Sequence, residues 1–207
     1  MGFTYAVGYQ LSKFVAHSFF DLRVYGQDNI IEDGPALLAM NHQSFLDPPF
    51  AGICCRREIS YLARKTLFDI PVLGPILKRF NVIGVDRDGS DVAALKAVIR
   101  VLRSGGSTIV FPEGTRSRDG GLQPARAGAG FIIAKTLAPV VPMRIFGAYE
   151  AFPRDSKFPR SSPVTIVVGV PIRFTVRDVQ GDPRTVFQRL SEQVMERIAV
   201  LRNPREE

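Results

Sequence analysis

The sequence predicts a single α/β domain, a mostly parallel or mixed central sheet flanked by helices, with an amphipathic helix at its N-terminal end. Three observations predict it. Short apolar runs such as STIVF (107–111) and VTIVVGVPIRF (164–174) alternate along the chain with segments whose apolar residues recur at helical spacing. No linker, internal repeat or low-complexity tract divides the 207 residues, a length suited to one generous core. A one-sided helical pattern over residues 3–20 precedes the first strand, so 1–22 reads as a helical extension and 23–207 as the domain.

The elements follow in order. Within FTYAVGYQLSKFVAHSFF (3–20), Phe3, Val7, Leu11, Phe14, Val15 and Phe19 recur at spacings of three and four, while Ser12, Lys13 and His17 fall elsewhere. Such a helix either lies in a membrane interface or docks on its own domain, and the pattern is the same for both. DLRVYG (21–26) and ALLAMNH (36–42) read as strands separated by the polar turn QDNIIEDGP (27–35). A helix runs from about Pro48 to Cys55, and ISYLARK (59–65) is another strand. Residues 67–77 are apolar but interrupted by Pro71, Gly74 and Pro75, which argues against a long regular helix there.

VIGVD (82–86) is a strand, and residues 90–106 form a helix capped by Ser90 or Asp91 and ended by glycines. After STIVF come a helix over 129–138, strands over 140–149 and 164–174, and a closing amphipathic helix over 182–202. Strands alternating with helices imply a layered fold with a largely buried sheet.

Composition narrows the function. Hydrophobic residues make up 45% and charged residues 23%, which excludes disorder. A net charge of +7 points to an anionic partner: nucleic acid, an anionic membrane surface or a phosphorylated substrate. The basic residues are scattered or in pairs such as Arg56-Arg57, Arg64-Lys65 and Lys78-Arg79, without a reader motif, so nucleic acid is the disfavoured choice. Cys54 and Cys55 are adjacent in an apolar run, which suits neither a loop-closing disulfide nor a metal site and implies a reducing, cytosolic-side location. With two histidines and no spaced cysteines, no zinc site is expected. No run reaches the ~18 apolar residues of a membrane-spanning helix, and the N-terminus lacks the features of a signal peptide.

Residues 41–49, NHQSFLDPP, set His42 and Asp47 five positions apart, a separation that puts them on different faces of a helix. If they meet, they meet across a bend. The residue before proline is pushed out of the helical region, which makes a bend natural, but Asp-Pro is equally a helix N-cap with proline at the first position. FPEGTRS (111–117) opens a glycine-bearing loop directly after a strand, and GVDR (84–87) ends another. Ligands of α/β sheets bind in the crevice at the carboxyl ends of strands, and three such ends, before His42, Arg87 and Glu113, would face one crevice. Arginine suits a phosphate monoester, because its planar fork donates to two oxygens in parallel.

Taken together in this order, the motifs resemble those of the glycerolipid acyltransferase family, whose best-known members are the 1-acyl-sn-glycerol-3-phosphate acyltransferases. The family's NHxSxxD motif stands here as Asn41, His42, Ser44 and Asp47, and its FPEGTRS motif is matched from Phe111 to Ser117. Its second motif ends at an arginine, here Gly84 to Arg87, and its fourth is a short apolar strand with an internal proline, here Val140 to Met143. One departure follows the third motif, where members usually carry Phe-Lys before a glycine and this chain has Ala125 and Arg126. Arg126 keeps the positive charge while the aromatic wall is lost.

The resemblance implies an acyltransferase that moves a fatty acyl group from acyl-ACP or acyl-CoA to the free sn-2 hydroxyl of 1-acyl-sn-glycerol 3-phosphate. Glycerol 3-phosphate, another lysophospholipid or a lyso-aminolipid are the alternative acceptors, and a hydrolase using Ser44 or another serine and a non-catalytic membrane-binding module are the readings from other classes. An alcohol needs a base at neutral pH, and histidine suits that task. His42 is then the base, and Asp47 orients its ring and stabilises the imidazolium, as the acid does in serine hydrolases. Ser44 is a local hydrogen-bonding residue, since the acceptor hydroxyl itself attacks. The resemblance further implies that Arg87, Glu113, Gly114, Thr115, Arg116 and Arg126 hold the acceptor phosphate. It implies no metal and no cofactor beyond the thioester, and a peripheral or monotopic position at the cytosolic face of a membrane. The apolar stretch 67–77, followed by Lys78 and Arg79, either lines an acyl channel, lies against the bilayer with the basic pair at head groups, or packs in the core.

Overall fold

A computed structural model describes residues 2–71, 73–85 and 92–206. Seven strands and seven α-helices are defined within them: α1 (Phe3–Phe20), β1 (Arg23–Tyr25), β2 (Ala36–Met40), α2 (Asp47–Ile53), β3 (Tyr61–Arg64), α3 (Leu73–Arg79), β4 (Val82–Val85), α4 (Val92–Arg103), β5 (Ser107–Val110), α5 (Gly128–Thr136), β6 (Val140–Phe146), α6 (Ala148–Ala151), β7 (Thr165–Val168) and α7 (Pro183–Ala199). The main sheet has the order β1-β7-β6-β2-β5, parallel except for the β6–β7 pair. β3 and β4 form a parallel pair of their own, joined to β5 by a parallel bridge between Ser60 and Thr108. This is the mixed, mostly parallel α/β architecture the sequence predicts.

β2 lies at the centre, and all five of its residues are buried, as expected of a strand covered on both faces. Its side chains alternate between two cores: Leu38 and Met40 pack with Phe20, Phe50 and Ile53, whereas Leu37 and Ala39 pack with Val98, Leu102, Ile133 and Leu190. The sheet is thereby sandwiched between α1 and α2 on one side and α4, α5 and α7 on the other. Helix ends follow the local chemistry. Asp182 caps α7 by accepting from the Thr185 N–H at 3.0 Å, and Gly105, at φ +83°, ends α4. The α4 cap expected at Ser90 or Asp91 lies outside the described residues.

One expectation needs correcting and another holds. The strand expected over 164–174 stops at Val168, and pairing resumes only at an isolated bridge between Ile172 and Val140. Gly169 and Pro171 interrupt the run. The apolar stretch 67–77 holds a 3-10 turn (Lys65–Asp69) followed by the seven-residue α3, a short break-up that agrees with its proline and glycine content. Its crossover is tight, since a Cβ on Gly74 would lie 2.0 Å from the Phe68 carbonyl oxygen.

Helix α1 docks on the domain, but not through the apolar stripe. Tyr5, Ala16 and Phe20 are buried, the Tyr9 hydroxyl donates to the Ile53 carbonyl at 3.1 Å, and Phe20 meets Phe50 edge to face. Gly8 lets the helix approach Phe80, whose ring would lie 1.9 Å from a Cβ. Val7, Leu11, Phe14, Val15 and Phe19 face outward instead, with Phe14 69% exposed. Both open readings of this helix therefore survive on different faces. No described helix is long and apolar enough to cross a membrane. Cys54 and Cys55 are free and buried, and burial pushes the Cys55 thiol up to about 12, so neither is a nucleophile.

Candidate active site

β2 and β5 are parallel neighbours, and the register that pairs Ala39 with Val110 carries on past their ends to bring His42 opposite Glu113. The two motifs thus meet because their strands pair. Asn41 first locks the bend: its amide donates to the Ile145 carbonyl at 3.1 Å and accepts from the Ile145 N–H at 2.8 Å, as a strand residue of β6's neighbour would. The backbone of His42 is then held from both sides, its N–H donating to Glu113 Oε1 at 3.2 Å and its carbonyl accepting from the Ser117 N–H at 2.7 Å.

The side chains of His42 and Asp47 face each other across the bend, with Nδ1 2.7 Å from Oδ2. The same Oδ2 accepts the Gln43 N–H at 2.6 Å and the Ser44 N–H at 2.7 Å. Asp47 is fully buried and makes no side-chain cap for α2, which corrects the N-cap reading: the carboxylate reaches back over the preceding loop instead of forward into its helix. The prolines that follow still sit in the first turn, where their missing N–H groups are not needed. One atom therefore shapes the loop and orients the ring. The imidazole also stacks on Phe111, with centroids 3.9 Å apart and planes 16° from parallel. Its Nε2 is the nitrogen left for chemistry, and the side chain retains 18% exposure.

Ser44 is fully buried, and its hydroxyl donates to the Phe152 carbonyl at 2.8 Å, a bond that leaves it a structural role. Glu113 differs from the expectation that it contacts substrate. It is 1% exposed, beneath the loop rather than on it, and its bond to the His42 N–H makes it a positioning residue. Burial pushes its carboxyl up to about 7, with the hydrogen bond from His42 pulling the other way and the charge of Asp47 adding a smaller upward push.

Gly114 and Thr115 are exposed at the loop tip. Gly114 has φ +69°, and a Cβ there would lie 2.8 Å from Cδ of Arg126, so the glycine and the exposed Arg126 pack together. Arg116 lies over the Phe45 ring at 3.5 Å. Burial, reinforced by the charges of Arg154 and Arg64, pulls its guanidinium below its ordinary value. Those two arginines are the cations that sequence reasoning missed. Arg64 ends β3, so the strand-end argument contained the signal, while Arg154 sits in a loop that carries none. Arg87 lies outside the described residues, and β4, the strand before it, belongs to the smaller sheet. Asp47 Oδ1 and Arg116 Nη1 are buried without a protein partner, the kind of polar strain that concentrates at working sites.

Fold and site define a class: an α/β protein whose histidine–carboxylate pair and arginine-bearing loop meet at the carboxyl ends of parallel strands. The family model described as Acyltransferase matches residues 21–146. The chain belongs to that family. It is 32% identical over 170 residues to a chloroplastic 1-acyl-sn-glycerol-3-phosphate acyltransferase of Brassica napus, covering 80% of this chain and 49% of the relative. It is 27% identical over 152 residues to the 1-acyl-sn-glycerol-3-phosphate acyltransferase of Bacillus subtilis, covering 73% of each. The crystal structure of the 1-acyl-sn-glycerophosphate acyltransferase PlsC from Thermotoga maritima superposes with a TM-score of 0.72 at 27% identity, covering 91% of this chain and 76% of that one. The chain spans about half the length of the plant relatives it matches.

Proposed function

We propose that the protein transfers a fatty acyl group from an acyl thioester, carried by acyl carrier protein or coenzyme A, to the sn-2 hydroxyl of 1-acyl-sn-glycerol 3-phosphate, giving phosphatidic acid for phospholipid synthesis. The observation that carries this reading is the 2.7 Å contact of His42 Nδ1 with the buried Asp47, which leaves Nε2 to act as a base beside a loop that bears Arg116. Names of the relatives support the acceptor.

In this reading Nε2 removes the hydroxyl proton as the oxygen attacks the thioester carbonyl. The carbon–sulfur bond breaks, and the imidazolium returns the proton to the leaving thiolate. General-base help of this kind is worth about 10²- to 10⁴-fold. Arg116, with Arg64 and Arg154 whose charges reach it, attracts the acceptor phosphate, and Arg87 and Arg126 are further candidates for it. Holding the hydroxyl in line with the thioester lowers the barrier without new chemistry. The outward apolar face of α1 favours work at a membrane surface, and the free, adjacent Cys54 and Cys55 favour its reducing, cytosolic side.

The test is acyl transfer from labelled thioester to a panel of acceptors. His42→Ala loses turnover and keeps acceptor affinity, whereas Arg116→Ala mainly loses affinity for the phosphorylated acceptor. Full turnover in His42→Ala refutes the mechanism, and equal turnover with unphosphorylated acceptors refutes the assigned substrate class.

A further inference from the structure

Beyond Arg154, whose charge reaches Arg116, the segment after α6 carries chemistry that acyl transfer does not use. Residues 152–163 read FPRDSKFPRSSP, so Phe-Pro-Arg stands at 152–154 and again at 158–160. Arg154, Lys157 and Arg160 outnumber the one acid, Asp155, and three prolines stiffen the backbone. The loop closes on itself, since the Arg160 N–H donates to the Ala151 carbonyl at 2.7 Å, the Ser156 N–H to the Pro153 carbonyl at 3.1 Å and the Ser156 hydroxyl to the Phe158 carbonyl at 2.8 Å. At its tip Phe158 is 77% exposed, and Lys157, Pro159 and Arg160 are exposed around it.

Each root of the loop is attached to something that matters. On one side the Ser161 hydroxyl donates to the Phe19 carbonyl at 2.8 Å and the Val164 N–H to the Phe20 carbonyl at 2.9 Å, which places the loop against the last turn of α1, the helix with the outward apolar face. On the other side Phe152 contacts Phe45 at 5.7 Å between ring centroids, and Phe45 lies under Arg116. The loop therefore bridges the apolar helix and the crevice.

We infer that loop 152–163 is a lipid-headgroup-binding loop that seats the mouth of the active site on an anionic bilayer. Phe158 enters the boundary between head groups and acyl chains, and Lys157 and Arg160 meet lipid phosphates. Two features select a bilayer over other partners. A single exposed phenylalanine is ordinary on a protein surface, but one held between two cations on a stiffened loop matches an interface that is apolar below and anionic above. It also continues a surface that α1 has already made apolar. The inference rests on the membrane-surface reading given above.

The experiment is sedimentation of the full chain with vesicles of phosphatidylcholine alone or mixed with phosphatidylglycerol. Lys157→Glu/Arg160→Glu and Phe158→Ser each lower affinity for the mixed vesicles about tenfold or more. Thermal melts and turnover of a short-chain, monomeric acceptor stay near wild type in both. If the variants bind like a wild type that itself binds, the loop inference falls and the membrane reading stands. If the wild type binds neither vesicle, both fall and acyl transfer is untouched. An effect of charge without an effect of Phe158→Ser overturns the inference in favour of a general polyanion patch, and loss of turnover on the monomeric acceptor overturns it in favour of a loop that serves the active site directly.

Discussion

Asp47 offers the sharpest test, because one of its oxygens performs two separable tasks. Oδ2 accepts from His42 Nδ1 at 2.7 Å and from two backbone N–H groups, at 2.6 and 2.7 Å. Asp47→Asn with its carbonyl oxygen in the Oδ2 position keeps all three bonds, removes the charge and sets its amide NH2 where Oδ1 has no protein partner. A carboxylate about 4 Å from an imidazolium charge centre, at an effective dielectric of about 20, stabilises it by about 4 kcal/mol. Losing that slows the chemical step by about 10³-fold, with little change in KM, since the charge on the ring develops only as the proton is taken. Asp47→Ala adds a second loss, because it strands the Gln43 and Ser44 N–H groups in a fully buried place. At about 1–3 kcal/mol per orphaned group, that is about 2–6 kcal/mol of stability. At about 2–4 °C per kcal/mol for a chain of this size, the Ala variant melts at least about 4 °C lower. Initial rates of acyl transfer and thermal melts of the two variants separate the tasks. Turnover of Asp47→Asn within about threefold of wild type, or equal melting of Asn and Ala variants, would refute the reasoning.

Two further predictions follow from the loops behind the site. Glu113 titrates at about 7 in the fold against an ordinary 4.5, so its folded pKa is raised, and the stability linked to its protonation is present below about 4.5 and lost as pH rises to about 7. Glu113→Gln keeps an oxygen for the His42 N–H and removes that titration. Its melting temperature relative to wild type accordingly rises between pH 4.5 and 7 and is level above, and a flat difference across that window refutes the burial account. Gly130, in α5, would set a Cβ 1.9 Å from the Phe187 carbonyl oxygen of α7. Gly130→Ala should therefore destabilise by about 1–3 kcal/mol through overpacking, although alanine favours helix by about 1 kcal/mol. A denaturant midpoint at or above wild type would show that the helices can part without cost.

The fold was legible where one signal dominates. β2, β5 and β6 are short apolar runs bounded by turn residues, and their shortness and flanking turns, rather than periodicity, mark them as strands buried on both faces. β7 was legible as a strand but not as the antiparallel member, because a residue pattern marks burial and not direction. Helix α1 was misleading for a related reason. Its buried contacts are made by Tyr5, Tyr9, Ala16 and Phe20, while the larger aliphatic and aromatic stripe points away. With apolar residues on two faces, periodicity shows that a helix exists and cannot say which face meets the sheet.

The site divides in the same way. His42 and Asp47 were legible because the motif fixes residue types within one bend, and a bend of six residues has few ways to satisfy a buried carboxylate. What stayed hidden depends on strand pairing. The role of Glu113 follows only once β2 and β5 are set in register, for then the residue opposite His42 has its backbone N–H as the nearest donor. The same pairing brings the Ser117 N–H onto the His42 carbonyl. His42 is thus held by its ring through Asp47 and by its backbone through the FPEGTRS loop. A histidine placed by both is fixed in position and tautomer before any acceptor arrives, which is the preorganisation that in-line transfer requires. Arg116 stands three residues beyond Glu113 on that same loop, so these hydrogen bonds also set where its backbone lies relative to His42.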